Sequence, residues 1–336
     1  MTKLNITGLK ESSTSLEAEH IPPANNGTYE NIGSQGGTEQ MLAGLRQRMP
    51  AELLEGFNII CSRVRDESID PNKKNILWLH DTWDDPESQH LKNKKSLDRF
   101  EKLVFVSNYQ QSTYNMGLNV PYDKGVVLQN AIIPIEPHEK PAGRVNIIYH
   151  TTPHRGLEIL IPVCEYLAAR GIEFHLDVYS SFGIYGWPDR DQPYLELFNK
   201  IKKHPNMTYH GFQPNSVIRE ALKKAHIYAY PSIWPETSGI SVIEAMSAGC
   251  NVICPNLAAL PETCANFGVM YNWTEDNNKH ANAFAGILAM VIKDYWAEFN
   301  QQRLGFQKAY FDSFYNWDMR ANQWRDFLES LATKKS

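Results

Sequence analysis

Glu236 and Glu244 stand on either side of a glycine-containing loop that opens a helix. Such a loop exposes unpaired backbone N–H groups at the positive end of the helix dipole, where a phosphate is held well. A carboxylate one to two turns along the helix can accept hydrogen bonds from the vicinal hydroxyls of a sugar. The loop carboxylate lies on the other side of that phosphate. Hydroxyls at both ends with a diphosphate between them match a nucleoside diphosphate sugar. Ser241 and Glu244 also satisfy the Ser-x-x-Glu pattern of a capping box, whose role is structural, and spacing leaves both readings open.

The elements that must position these groups are legible around them. Ile227, Tyr228, Ala229 and Tyr230 form a short apolar run stopped by Pro231, as a buried parallel strand would be. Ile240, Val242, Ile243, Ala245, Met246 and Ala248 predict a mostly apolar helix with Gly249 as its stop. Val252, Ile253 and Cys254 predict the next strand, closed by Pro255. Together these residues read PSxxPExxGxSxIEAMSAGxxVI from Pro231 to Ile253, followed by Pro261-Glu262. That run closely resembles the donor-site signature of the retaining GT-B glycosyltransferases of family 4, a Glu-x7-Glu motif with Glu236 and Glu244 at its ends. A weaker resemblance extends over residues 140 to 330.

The resemblance implies an α/β fold of the GT-B kind, with two Rossmann-like domains facing a central cleft. Residues 1–133 would form an acceptor-side domain, joined by a returning C-terminal helix at 317–331, and residues 134–316 would bind the donor. It further implies transfer of a sugar to an acceptor hydroxyl with retention of anomeric configuration, without a metal or a resident cofactor. The donor would be UDP- or GDP-linked, and the acceptor a glycan, a lipid-linked sugar or a small molecule. Glu236 would position the transferred sugar, Glu244 would hold the ribose hydroxyls, and Thr237, Ser238, Gly239 and Ile240 would line the phosphates.

Other candidates lie in both halves. Gly36-Gly37 precede a predicted helix capped by Thr38, with Met41, Leu42, Leu45 and Met49 on one face. A glycine pair there suits close approach to an anion or a simple turn; by resemblance, Gly36, Gly37 and Glu39 match a GGxE loop lying against the donor. Predicted strands at Phe57–Cys61, Ile76–His80 and Leu103–Ser107 suggest a parallel sheet. His80 ends the second of them, where ligands gather in such sheets, and resembles the family's histidine that faces the sugar near the reaction centre. Asp81, Asp84 and Asp85 read as a solvated acidic loop. Lys92, Lys94, Lys95, Arg99 and Lys102 predict a basic helix face, solvated or in contact with a membrane surface or an acidic acceptor.

The linker is expected at Pro134–Pro141. Beyond it the strand Val145–His150, the turn Thr151–Gly156 and a helix from Leu157 form a second anion-friendly arrangement. Arg155 can grip a diphosphate bidentately and resembles the family's lysine at this place. His150 stands where the family has an arginine, a departure that removes one permanent charge unless the imidazole is protonated or another cation substitutes. His210 and Phe212, around Gly211, resemble the strand-end turn whose backbone meets the nucleobase. Pro261-Glu262 resemble a loop that is commonly structural and near the donor. His80, Glu236 and Arg155 are thus the catalytic candidates.

Composition limits the alternatives. The chain has 336 residues, 42% hydrophobic and 21% charged, which is enough for two globular domains. A net charge of −5 argues against a large nucleic-acid footprint. No apolar run approaches the ~20 residues of a bilayer span, and the first twenty residues lack the apolar core of a secretory signal. The five cysteines are best read as buried thiols of a reducing, cytoplasmic environment; a metal site at Cys250 and Cys254 would need a second ligand pair that the chain does not place nearby.

Overall fold

The computed structural model describes residues 36–333; the strand expected at residues 4–9 and the loop at 10–35 lie outside them. Four strands, β1 (Phe57–Cys61), β2 (Lys74–Trp78), β3 (Lys102–Phe105) and β4 (Gly125–Val127), form one sheet in the order β1-β2-β3-β4. All its pairs are parallel, with Cys61 opposite Trp78 and Trp78 opposite Val104. Six strands form the second sheet: β5 (Val145–Tyr149), β6 (Phe174–Val178), β7 (Met207–Tyr209), β8 (Ile227–Ala229), β9 (Asn251–Pro255) and β10 (Val269–Tyr271). Their order is β10-β9-β8-β5-β6-β7, again all parallel.

This second order is that of a doubly wound nucleotide-binding sheet, in which the winding reverses between β5 and β8. Ligands bind in the crevice outside the carboxyl ends of the strands at such a reversal. The sequence explains why the centre is so dry. Every residue of β8 and β9 is buried, because helices cover both faces of a parallel sheet and its strands need not alternate. The helix Leu157–Ala168 lies on one side, with seven of its twelve residues buried.

The C-terminal helix Trp317–Ala332 packs into the core of the first sheet, not the second. Its Trp317, Ala321, Trp324, Leu328 and Leu331 share one apolar cluster with Met41, Leu45 and Trp78. The helix Gly37–Arg46 approaches it so closely that a Cβ on Gly44 would run into the Trp317 ring. Trp324 is fully buried and meets Trp78 edge-on at 4.7 Å. Truncating such a side chain leaves a cavity as well as removing apolar burial. We therefore expect Trp324→Ala to cost roughly 3–5 kcal/mol in urea unfolding, with its largest effect on probes in the first domain.

Two local expectations fail. The lysine run is not one helix: a 3-10 segment Pro86–Lys92, a single turn Lys94–Leu97 and the start of β3 divide it. Asn93 makes the break: its backbone is extended where the 3-10 segment ends, and its side chain caps the next turn by accepting from Lys95 N at 2.9 Å. Thr38 is not an N-cap; it lies inside the helix, which Gly36 precedes without a side-chain cap. Among the described residues no helix is long and apolar enough to cross a membrane.

Candidate active site

The loops that leave β5 and β8 meet at the reversal point. After β5, Thr152 leads into a 3-10 turn, Pro153–Arg155, that ends on Gly156 with φ +118°, a conformation that only glycine adopts readily. Arg155 is thereby turned across to the β8 loop, where it forms an ion pair with Glu236. The same carboxylate oxygen accepts the hydroxyl of Tyr230, the buried residue directly after β8. Burial opposes the guanidinium's charge, but the Glu236 carboxylate outweighs it and holds the Arg155 pKa well above its ordinary value. Arg155 also lies 5.8 Å from the centre of the Trp234 ring. Its Nε is buried without a partner.

The residue assigned to the donor's diphosphate and the one assigned to its sugar are therefore joined to each other here. The first domain's second glycine comes up beside them: a Cβ on Gly37 would lie 2.8 Å from Ile240, at the start of the helix Ile240–Ser247. A Cβ on Gly36 would lie 2.6 Å from Glu39 Oε2 and 3.0 Å from the Tyr185 ring. Gly239 precedes the helix with φ +101° and no side-chain cap; its carbonyl accepts from Val242 N at 3.0 Å, so the first-turn amides that face an external acceptor are those of Ile240 and Ser241.

Glu244 is buried on that helix. Burial raises its pKa, while Asn215 Nδ2 donates to its Oε1 at 2.9 Å. Ser241 accepts the Tyr228 hydroxyl at 3.0 Å and makes no capping box with Glu244. The structural alternative for this pair is thus not realised.

His80 follows β2, and both of its ring nitrogens are buried without partners. Burial lowers its pKa to about 4, so the ring is neutral near pH 7. Its backbone is fixed on both sides: its N–H donates to Ser62 Oγ at 2.9 Å and its carbonyl accepts Thr237 Oγ1 at 2.7 Å. The β2 and β8 loops therefore touch, and the carboxyl ends of the two sheets face each other. Its neighbour Asp81 is half-buried, and desolvation, with the charge of Asp85, lifts its carboxyl to about 6.

His150 is buried beside Tyr228, with ring centres 4.5 Å apart, and its Nε2 has no partner. Burial drops its pKa to about 3. A protonated imidazole does not replace the missing arginine at neutral pH. Phe212 and His210 sit at the β7 edge of the sheet. His210 Nε2 bonds Asp177 at 2.7 Å and the ring stacks on Tyr179 at 4.2 Å, while the Phe212 side chain packs near Gly183. These two do not join the Arg155–Glu236 cluster.

Tyr230 and Asn215 are residues of the candidate site that sequence reasoning missed, and of the two Tyr230 left a signal, as the polar end of an otherwise apolar strand. The C-x3-C pair separates: Cys250 donates to the Ala225 carbonyl at 3.3 Å, whereas Cys254 lies 3.6 Å from Cys264. Among the described residues no group of three or more His, Cys, Asp or Glu is placed to hold a metal.

The family model described as "Glycosyl transferases group 1" matches residues 136–304. The chain is 26% identical over 218 residues to the O-antigen chain mannosyltransferase B of Escherichia coli. That alignment takes in 61% of this chain and 55% of the relative, so the chain spans about half the length of that protein. Among solved structures it is similar to a glycosyltransferase from Rickettsia africae ESF-5, with a TM-score of 0.68 at 17% identity over 92% of this chain and 84% of the other. It is also similar to Anabaena HepE in complex with UDP-glucose, with a TM-score of 0.62 at 16% identity over 77% and 72%. These neighbours share a fold of two Rossmann-like domains, the GT-B architecture, with this chain.

Proposed function

The chain belongs to the glycosyl transferases of group 1, and on that premise we propose that it transfers a sugar from a nucleoside diphosphate donor to an acceptor hydroxyl with retention of configuration. The observation that carries the reading is the Arg155–Glu236 pair at the winding reversal of the second sheet, beside the uncapped start of the helix Ile240–Ser247. Residues 134–316 bind the donor, and residues 1–133 with the C-terminal helix bind the acceptor.

Cleavage of the bond between sugar and phosphate develops positive charge on the sugar and negative charge on the leaving diphosphate. Arg155 and the amides near Ser238, Gly239 and Ile240 stabilise the second. Glu236, oriented by Arg155 and Tyr230, accepts hydroxyls of the sugar. Glu244 accepts the ribose hydroxyls, and Asn215 fixes its carboxylate for that task. His80, neutral, binds an outer hydroxyl of the sugar or meets the acceptor. Gly36 and Gly37 close the donor side because a side chain there would strike Tyr185 or Ile240. With His150 neutral, Arg155 is the permanent cation of this loop, and the helix amides carry more of the diphosphate's charge. Catalysis proceeds without a metal.

Thermal unfolding with UDP, GDP, ADP and CMP, each with and without EDTA, tests the reading. A nucleotide at 100 times its Kd adds about 2.7 kcal/mol of stability. One nucleotide is expected to stabilise the protein, indifferently to EDTA, and to lose that effect in Glu244→Ala. No shift with any nucleotide would falsify the donor assignment. Free epimerised sugar nucleotide or free sugar as the sole product would identify an epimerase or a hydrolase on the same fold. Binding without any turnover would identify a non-catalytic nucleotide-sugar-binding subunit.

A further inference from the structure

We infer that Glu262 is a positioning residue for sugar transfer, holding the donor loop of the second domain against the His80 edge of the first. The inference rests on the function proposed above. Glu262 belongs to the short helix Leu260–Cys264 of the second domain. Its carboxylate sits on the N-terminus of a helix in the first domain, Asn108–Leu118. Oε1 accepts from Asn108 N at 2.9 Å and from Asn108 Nδ2 at 2.8 Å, and Oε2 accepts from Tyr109 N at 3.0 Å.

A helix begins with backbone N–H groups that have no partner inside it. Here the N-cap Ser107 serves the third, its Oγ accepting from Gln110 N at 3.0 Å. The first two are served from across the cleft by a carboxylate at the positive end of the helix dipole. Ser107 Oγ also donates across the cleft to the Thr237 carbonyl at 2.7 Å. Thr237 Oγ1 returns to the first domain at the His80 carbonyl.

The segment that bears Glu262 is itself fastened to the donor loop. Ala259 N donates to the Glu236 carbonyl at 3.0 Å, and Thr263 Oγ1 donates to the Ser238 carbonyl at 2.6 Å. One connected set of bonds therefore runs from His80 through Thr237 and Ser107 to Glu262, and back through Thr263 and Ala259 to Ser238 and Glu236. The contact is partly exposed: Asn108 is at the surface, and Tyr109 and Glu262 are half-buried. Salt and water can reach it, which suits a contact made and released as donors enter and products leave.

The experiment compares wild type with Glu262→Ala and Asn108→Pro. Proline at the first helical position is well tolerated, and the extended backbone of Ser107 suits the residue before it. That variant removes both donors to Oε1 and leaves the helix intact. Each protein is measured for nucleotide Kd, for kcat and KM of transfer, and for radius of gyration by solution X-ray scattering. In both variants we expect nucleotide Kd within twofold of wild type, kcat lower by about 10- to 100-fold and a larger radius of gyration. Glu262→Gln, which keeps one acceptor oxygen without the charge, should fall between. Wild-type kcat and an unchanged scattering profile in both variants overturn the inference. If wild type binds no nucleotide, the functional reading fails first; the scattering comparison then still decides whether Glu262 holds the domains together.

Discussion

Arg155→Ala lowers kcat/KM for sugar transfer by about 10²–10³-fold and destabilises the protein by roughly 3–5 kcal/mol. Both effects have one origin. The Arg155 and Glu236 side chains are 20% and 8% exposed, so removing the guanidinium leaves a carboxylate out of water with only the Tyr230 hydroxyl as partner. An uncompensated buried charge is costly in a way that the loss of a surface ion pair is not. The same change removes the cation that faces the developing charge of the leaving diphosphate. Arg155→Lys does not restore the wild type, because an ammonium cannot reproduce the planar, forked contact of a guanidinium.

The double variant Arg155→Met, Glu236→Leu separates the two effects. Replacing both partners by apolar groups removes the unpaired charge, so stability recovers toward wild type while transfer stays lost. Urea unfolding and steady-state kinetics on the three variants give the comparison. A double variant as unstable as Arg155→Ala would show that shape, not charge, holds this corner of the fold. A fully active Arg155→Ala enzyme would remove Arg155 from the mechanism.

The second large effect is expected at Gly156. Its φ of +118° is disfavoured for any residue with a Cβ, and that Cβ would run into the carbonyl oxygen of Pro231 on the β8 loop. Backbone strain and overpacking each cost about 1–3 kcal/mol. Gly156→Ala is therefore expected to lose roughly 3–5 kcal/mol in total and to move Arg155, weakening nucleotide binding more than its stability alone explains. Gly171 is the control: its φ is also positive, at +76°, but nothing lies within 4 Å of the Cβ position, so Gly171→Ala costs only about 1 kcal/mol. Equal melting temperatures for the two variants would sink the steric argument.

Much of this was legible in the order of residues. The strand at 227–229, the helix at 240–247, the strand at 251–255 and the glycine stop at 249 lie where periodicity and punctuation place them. These signals are local: a continuous apolar run between prolines has few alternatives to a buried strand, and an apolar face ending in glycine has few alternatives to a capped helix. The same holds for β1, β5 and the helix after Gly156. The parallel α/β architecture follows, because strands separated by helices in sequence must cross over to pair.

What the tertiary structure decided is which groups meet. That Arg155 faces Glu236, 81 positions away, and that Glu262 caps a helix 154 positions before it, depend on the order of strands in the sheet and on the docking of two domains. No local pattern encodes either. Nor could the sequence say that His150 is neutral, since its pKa of about 3 comes from the depth of its burial against Tyr228. The lysine run read as a helix because helical spacing was the only signal at hand; in the fold the extended backbone of Asn93 and the start of β3 break it up. The sequence by itself determined the elements and the types of group that each carries, because both follow from neighbours in the chain. The pairings and protonation states of those groups follow from neighbours in space and from the exclusion of water, and only the folded chain supplies them.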